Sequence, residues 1–451
     1  MAENATTQAL GCEPVGTLLL RYSLPAITSM VVFSLYNIVD SIFIGHGIGP
    51  LGISGLAVTF PIMNLSIACS LLVGVGGASI ISIFLGRDER QKARRVLGNV
   101  LVLGILIGLA FGFGMLIFLD PILVAFGASP ETLPYARDFM QILLVSLPVP
   151  YTLFGLNHLM RATGYPNKAL ISALCTVGVN IILAPLFIFV FEWGMRGAAL
   201  ATLLAQVVGL IWVVHHFRNQ ESAIHFVRGI YRLRLVIVRG IFSIGLSPFL
   251  MNVCASAVVA VINTSLLAYG GDLAIGAYGI INRVLFVFLM VVTGLAQGMQ
   301  PIIGYNFGAK NMARVYQTLK YGLFAGGAIT TVGMALSMLI PGAIAGMFTD
   351  DTTLQDLAIT GLRLATLAFP LVGVQIVISN FFQSMGMASL SIFLSLTRQL
   401  LFLIPCLLIL PRFLGLNGIW YSLPAADLLA FIVGIFVLVR FFYGHSRQTA
   451  A

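Results

Sequence analysis

Charged residues are scarce in this chain of 451 residues, where Asp, Glu, Lys and Arg together make up 9%. Soluble domains carry about 25% charged residues, so the chain lacks the charge that a water-facing surface needs. Hydrophobic residues instead make up 59% of it, and the mean hydropathy is +1.02. This composition excludes a soluble enzyme, a disordered chain and a fibrous protein. It indicates a polytopic membrane protein.

Cysteine is also sparse, with five residues and no Cys-x-x-Cys pair. Neither a disulfide framework nor a zinc site is therefore predicted, and we expect no metal or cofactor. The 24 Lys and Arg residues outnumber 15 acidic ones, but they are spread over short loops between apolar runs. A nucleic-acid site would gather them on one face, so we expect no nucleic acid as a partner. Residues 1–16 have no basic region, which predicts a short tail and no signal peptide.

Apolar runs separated by charged or Gly/Pro-rich clusters predict twelve membrane helices. A spanning helix needs about 20 apolar residues, whereas barrel strands would alternate over ~10 residues. In the first half the predicted spans are 15–45, 52–85, 96–119, 135–160, 169–191 and 197–217. In the second half they are 236–269, 274–305, 320–342, 357–383, 390–411 and 418–441. The predicted fold is all-α.

The basic residues predict the orientation. Eighteen of the 24 Lys and Arg residues lie near the chain ends or in one set of alternate loops. The opposite loops hold only Arg137, Arg196, Arg363 and Arg412. The positive-inside rule then places the basic side and both termini in the cytoplasm.

The two halves repeat each other at an offset of 221 to 223 residues. The recurring pairs are Pro25/Pro248, Gly86/Gly308, Phe126/Phe348, Pro148/Pro370, Gly164/Gly386, Gly194/Gly415 and Gly197/Gly418. Six spans per copy is an even number, so both copies face the same way about an axis along the membrane normal. The predicted domains are a first lobe at 1–217, a linker at 218–235 and a second lobe at 236–451. Apolar residues alternate with arginines in the linker, which fits an interfacial helix or a basic connector that anchors the topology.

Acids inside the membrane are candidates for function, because an Asp at mid-helix costs about 2.5–3.5 kcal/mol on insertion scales. Asp40 lies near the end of the first span, and Tyr36 and Asn37 share its helical face. No basic residue lies nearby in sequence, and burial without a partner favours the protonated form of a carboxyl group. We predict that Asp40 loads and releases a proton. A buried acid that caps a broken helix is the structural alternative.

The second lobe carries Asp427 in its last span, with Arg283 and Arg398 as intramembrane bases. Arg398 and Asp427 either neutralise each other within the lobe or line a cavity. The predicted substrate cavity comprises Asn157, Gln206, Asn263, Tyr278, Arg283, Gln297, Arg398 and Asp427. Hydrogen bonds between helices explain many such polar residues equally well. Asn263 occupies the repeat position of Asp40, which predicts ion coupling in the first lobe only.

An enzyme is the alternative from another class. Asp350, Asp351 and Asp356 form an acid cluster of the kind that binds magnesium in prenyl-diphosphate enzymes. No second acid cluster accompanies it, and Asp ahead of an apolar run is a common helix cap. The sequence therefore predicts a protein that is not an enzyme.

Several short stretches together resemble the multidrug and toxic compound extrusion (MATE) family, in its bacterial DinF/MepA-like type. They are residues 37–40 with Gly45, 161–164, 180–185, 277–283, 300–306 with Gly308, and 424–427. The resemblance implies two six-helix lobes related by pseudo-twofold symmetry around a V-shaped cavity. It also implies a multi-pass exporter of amphipathic, often cationic compounds in the bacterial cytoplasmic membrane, driven by inward proton or sodium flow. In that family, the positions of Asp40 and Asn180 belong to the ion-coupling site.

One departure from the family pattern bears on the coupling ion. Many relatives carry an Asp four residues after the Asn, where this chain has Ala184. A sodium ion loses a charged ligand there, so we expect proton coupling rather than sodium coupling. The expected partners are the lipid bilayer and a small amphipathic substrate, and the expected state is a monomer. A flippase for lipid-linked precursors or polysaccharides, from the same superfamily, and a narrow metabolite exporter are the alternatives.

Overall fold

The computed structural model describes residues 8–220, 222 and 224–450, and the side chains of Asn37 and residues 444–450 lie outside that description. The described residues form helices and no strand. In the first half the helices are α1 (Val15–Ile48), α2 (Pro50–Gly86), α3 (Arg90–Ile117), α4 (Leu119–Ala125), α5 (Leu133–Ser146), α6 (Pro148–Ala162), α7 (Pro166–Pro185) and α8 (Gly194–Arg218). In the second half they are α9 (Leu235–Gly308), α10 (Met312–Leu339), α11 (Pro341–Gly346), α12 (Thr352–Ala365), α13 (Phe369–Ser384), α14 (Ala388–Leu396), α15 (Ile404–Leu414) and α16 (Leu416–Ala450). Wider π-helical turns extend α7 over Leu186–Val190 and join α14 to α15 over Thr397–Leu403.

These helices account for twelve membrane spans. Within the described residues, nine helices are long and apolar enough to cross a membrane, and two bent pairs bring the number to eleven. Helix α9 has 74 residues, which is about 110 Å of helix, far more than the ~30 Å hydrocarbon layer. Its backbone leaves the helical region at Gly271 (φ 67°, ψ −166°). We call the parts before and after this residue α9a and α9b, and the all-α fold with twelve spans is confirmed.

The sequence repeat is visible in the backbone. Gly49 separates α1 from α2 with φ 93° and ψ −171°, close to the values at Gly271, 222 residues later. Gly164 and Gly386 both have positive φ, as do Asp88 and Lys310. Glycine adopts such angles at little cost, whereas other residues do so rarely. Two chain halves with the same turns in the same places therefore have the same local architecture.

Two predicted spans are not single straight helices. The span predicted at 135–160 consists of α5 and α6, which meet at 56°, and the one predicted at 357–383 consists of α12 and α13, which meet at 54°. Pro148 is the first residue and Pro370 the second residue of the later helix in each pair. Proline lacks the N–H that would continue the preceding helix, so each break follows from local sequence.

The linker contains no interfacial helix in its described residues 224–234, which form turns and extended chain. Asn99 of α3 explains why. Its Nδ2 donates to the carbonyls of Ile230 (3.4 Å) and Arg232 (3.2 Å), and its Oδ1 accepts from the backbone N–H of Arg234 (3.0 Å). These backbone groups would pair with each other in a helix. The interfacial-helix interpretation is wrong here, and the role of a basic connector stays a prediction.

The lobes join on the side that carries most Lys and Arg residues, which we call the basic side. Val100 of the first lobe and Ile241 of the second share one apolar cluster there, and Leu18 and Phe381 share another. On the opposite side, each of the two large clusters draws on one lobe, and the second-lobe cluster is centred on the fully buried Trp420. The lobes therefore diverge from the basic side and leave a V-shaped space between them.

Glycines allow the close contact on the basic side. A Cβ added to Gly76 of α2 would lie 2.1 Å from the carbonyl oxygen of Ile241, and one added to Gly245 of α9a would lie 1.8 Å from that of Leu72. Both obstacles are backbone atoms, which cannot rotate away. Only glycine fits at these two positions in this arrangement of the lobes.

The pseudo-symmetry repeats this contact between α1 and α9b. A Cβ on Gly298 would lie 2.6 Å from the Cα of Ser23, and one on Gly294 would lie 2.6 Å from the Cα of Ile27. Helix α1 therefore packs across the lobe boundary at its basic end. Its other end belongs to the first lobe.

Candidate functional site

The first candidate is Asp40, in the half of α1 that lies away from the basic side. The residue is 8% exposed, and its Oδ1 is buried without a hydrogen-bond partner among the described residues. The next turns of α1 pack against the π-helical segment after α7, with the rings of Phe43 and Phe189 centred 6.4 Å apart in an edge-to-face contact. Burying a charge without a partner is costly. The site therefore favours an ion or a proton that neutralises the carboxylate.

The hydroxyl group of Thr202 connects three helices. Thr202 of α8 donates to the carbonyl of Ala198 (3.1 Å). Its oxygen then accepts from Nδ2 of Asn180 in α7 (3.3 Å) and from the hydroxyl of Tyr36 in α1 (3.2 Å). Since Tyr36 lies one turn before Asp40, this network fixes the helical face that carries the acid.

The structure thus brings Tyr36 and Asn180 together, whereas the side chain of Asn37 lies outside the described residues. Thr202 was missed by the sequence analysis. A lone hydroxyl in an Ala-rich helix gives only a weak signal, because threonine often bonds the carbonyl four residues back. Gln206 lies one turn further along α8, and its Oε1 is buried without a described partner.

The first-lobe site contains one carboxylate among the described residues. Ala184 is fully buried, one turn after Asn180. Asp120 and Asp138 have partly exposed side chains and pair with Arg137 and Arg196, each at 2.9 Å. No group of three His, Cys, Asp or Glu side chains suited to a metal ion occurs in the part of the chain that the structure describes.

The second lobe holds an ion pair at the start of the π-helical segment after α14. Nε of Arg398 lies 2.5 Å from Oδ1 of Asp427, with the two side chains 25% and 3% exposed. The two residues therefore form an ion pair, and their place in a cavity wall stays a prediction. Tyr278 lies in the adjoining apolar cluster.

Polar contacts connect the lobes at the level of the glycine contacts. Arg161 of α6 is buried; it donates through Nη1 to Oε1 of Gln297 in α9b, and its Nη2 lies 3.4 Å from Nδ1 of His158. One turn later, Nε2 of Gln300 donates to Oγ of Ser79 in α2 (2.7 Å). We call Arg161, Gln297, Ser79 and Gln300 the inner latch.

Arg161 lies just beyond the span predicted at 135–160, and the structure corrects that bound. Helix α6 continues to Ala162, so the guanidinium is buried between the lobes. Besides contacting Arg161, Gln297 reaches α1, where its Nε2 lies 3.9 Å from Sδ of Met30. The sequence feature that could have indicated these contacts is the pair of glutamines, Gln297 and Gln300, about one helical turn apart in an apolar helix. Their partners cannot be identified from sequence.

Comparison with known proteins identifies the family. The family model described as MatE matches residues 25–186 and 248–408, one stretch in each half.

This chain belongs to the MatE family.

A relative in Staphylococcus aureus, named "Multidrug export protein MepA", is 28% identical to this MatE chain over 426 residues, which is 94% of both proteins. Among solved structures, an outward-facing multidrug resistance MATE transporter of the MOP superfamily has a TM-score of 0.90 and 25% identity, with 98% of both chains covered. A MATE crystal structure in the bent conformation has a TM-score of 0.93 over 99% of both chains. At 24% identity, this last likeness concerns the fold alone.

The remaining predicted cavity residues of this MatE chain differ in burial and in hydrogen bonding. Nδ2 of Asn157 donates to the carbonyl of Ala169 (3.1 Å), and this bond accounts for a polar side chain without any substrate. Asn263 is half-buried and Arg283 is exposed. Their assignment to a substrate cavity stays a prediction.

The acid cluster of this MatE chain near residue 350 has a structural explanation. Asp351 caps α12, because its Oδ1 accepts from the backbone N–H groups of Thr353 (2.8 Å) and Leu354 (3.1 Å). The predicted helix cap is confirmed.

Proposed function

We propose that this MatE chain is a cation-coupled antiporter that exports amphipathic, often cationic, small molecules across a bacterial cytoplasmic membrane by alternating access. The observation that carries the proposal is Asp40, the one carboxylate buried in the described membrane interior of the first lobe. The printed names of the S. aureus relative and of the outward-facing neighbour support the substrate class. A transporter built from helices with little extramembrane structure needs no enzymatic centre.

A proton is the favoured coupling ion. Asp40 has one oxygen without a partner among the described residues, and Ala184 supplies no second carboxylate to the site. Sodium needs several oxygen ligands, whereas one carboxylate is enough to bind a proton. The Tyr36–Thr202–Asn180 network supports this choice, because Thr202 already uses its oxygen within the protein.

The orientation and the cycle follow from the two sides of the molecule. The basic side faces the cytoplasm, so the V-shaped space opens outward. A proton from outside neutralises Asp40, α1 repacks, and substrate leaves outward. The inner latch then opens, and release of the proton inward resets the transporter. A hundredfold shift between two states needs about 2.7 kcal/mol of differential binding.

The test is transport in proteoliposomes with proton and sodium gradients applied separately. We expect efflux of a cationic amphipathic dye under a proton gradient and none under a sodium gradient at equal pH. Asp40→Asn should abolish this efflux, whereas Asp120→Asn, which changes a surface acid of the same lobe, should retain it. Sodium-driven efflux at zero pH gradient would overturn proton coupling. Full activity of Asp40→Asn would remove Asp40 from the mechanism.

A lipid-linked precursor flippase gains less support. A diphosphate substrate requires free basic groups in the cavity, whereas Arg398 is already paired with Asp427 and Arg161 donates to Gln297. A narrow metabolite exporter would appear in the same assay as activity confined to one compound.

A further inference from the structure

The linker brings four arginines together at the basic end of α3. Asn99 donates to the carbonyl of Arg95, one helical turn earlier (2.8 Å), and also to that of Arg232 in the linker (3.2 Å). The backbone of Arg234 donates to the same asparagine (3.0 Å). A single side chain therefore holds the linker backbone beside that of Arg95, because both carbonyls accept from the same Nδ2. We call Arg94, Arg95, Arg232 and Arg234 the linker patch.

The charges of the linker patch are not neutralised by the acids that the structure describes. The two acids just before α3 are engaged elsewhere, since Asp88 pairs with Arg90 (3.2 Å) and Glu89 pairs with Lys92 (3.0 Å). None of the ion pairs in the described residues includes a member of the patch. Nε of Arg94 is buried and has no hydrogen-bond partner among the described residues. Glu221, the one acid of the linker, lies outside the described residues.

Exposed apolar residues continue the patch into the membrane. Leu233 lies between the two linker arginines and is 44% exposed, and Leu235 and Val236, which begin α9a, are 81% and 86% exposed. Helix α9a is a membrane span, so these side chains stand where headgroups meet acyl chains. The surface therefore offers fixed guanidinium groups beside an apolar strip.

We propose that the linker patch binds the headgroup of an anionic phospholipid, with an acyl chain lying along Leu233, Leu235 and Val236. Guanidinium groups form paired hydrogen bonds with phosphate oxygens. Basic clusters next to membrane helices attract anionic lipids of the cytoplasmic leaflet. A free phosphate would satisfy the charge but would leave the apolar strip uncovered, so the geometry favours a lipid. The proposal does not depend on the transport mechanism.

The test is lipid binding to the purified full-length protein by native mass spectrometry, with phosphatidylglycerol and phosphatidylcholine as probes. We expect Arg232→Gln/Arg234→Gln to weaken phosphatidylglycerol binding about tenfold or more. The charge-retaining variant Arg232→Lys/Arg234→Lys should lose less. The matched control is Arg87→Gln/Arg440→Gln, which removes two exposed arginines from the basic ends of α2 and α16 and should change the affinity less than about twofold.

Three results would overturn the proposal. Equal losses in the two glutamine variants would mean that overall charge attracts the lipid. Equal binding of phosphatidylcholine would mean that charge is irrelevant. Displacement of the lipid by millimolar inorganic phosphate would identify a free-anion site. Size-exclusion chromatography checks that each variant is monodisperse and folded. If the glutamine variant fails this check, the phosphatidylglycerol affinity of Arg232→Lys/Arg234→Lys is compared with that of its own matched control, Arg87→Lys/Arg440→Lys.

Discussion

Replacing Gly245 by alanine tests whether the glycine contact closes the basic side. The new Cβ would lie 1.8 Å from the carbonyl oxygen of Leu72, whereas ordinary contacts begin near 3.4 Å. Helices α2 and α9a would have to separate by about 1.6 Å, because the obstacle is backbone. Overpacking of this kind costs about 1–3 kcal/mol. At about 2 kcal/mol, the ratio of molecules closed on the basic side to molecules open there falls ~30-fold.

The assay is the distance between spin labels at Leu51 and Leu273, measured by double electron–electron resonance. These exposed residues occupy repeat-related positions at the opposite end from the glycine contact. We expect a dominant long distance in the parent protein. Gly245→Ala should increase the population with a short distance, because only separation on the basic side relieves the clash.

The control is Gly114→Ala in α3, where an added Cβ meets no atom within 4 Å. It should leave both the distances and transport unchanged. If Gly245→Ala also gave the parent distance distribution with normal transport, the proposed role of the glycine contact in closing the basic side would be refuted.

Three further predictions concern single polar contacts. Gln297→Leu should weaken the inner latch and lower the ratio of long to short Leu51–Leu273 distances about tenfold, because the buried guanidinium of Arg161 loses its acceptor. An unchanged distance distribution would show that the latch does not help to close the basic side. Asp427→Asn should lower stability by about 2 kcal/mol, less than the ~3–5 kcal/mol of a fully buried pair, because Arg398 is 25% exposed. Its thermal midpoint should fall, and adding Arg398→Gln should recover part of the loss; no fall at all would contradict a stabilising pair. Asp351→Ala should cost about 1 kcal/mol and speed amide hydrogen exchange at Thr353, whereas Asp350→Ala should not; equal exchange in both variants would argue against the cap.

The bends and turns of the fold were within reach of sequence reasoning. Pro148 and Pro370 mark the breaks in the two bent spans, and Gly271 marks the turn inside α9. Each acts through its own backbone, by a missing N–H or a permitted positive φ. The course of the linker was not within reach of sequence reasoning. It depends on Asn99, which lies about 130 residues before the linker backbone groups that it binds.

The sequence by itself determined that this chain crosses a membrane many times, that it consists of two similar halves, and that Asp40 lies in an apolar span. Each of these conclusions depends on composition or on neighbours within a few helical turns. Only the tertiary structure decided that Thr202 joins Tyr36 to Asn180, and that Arg161 reaches Gln297 across the lobe boundary. Such contacts depend on how closely helices distant in sequence approach one another, and where the lobes meet, the glycines on the basic side set that approach.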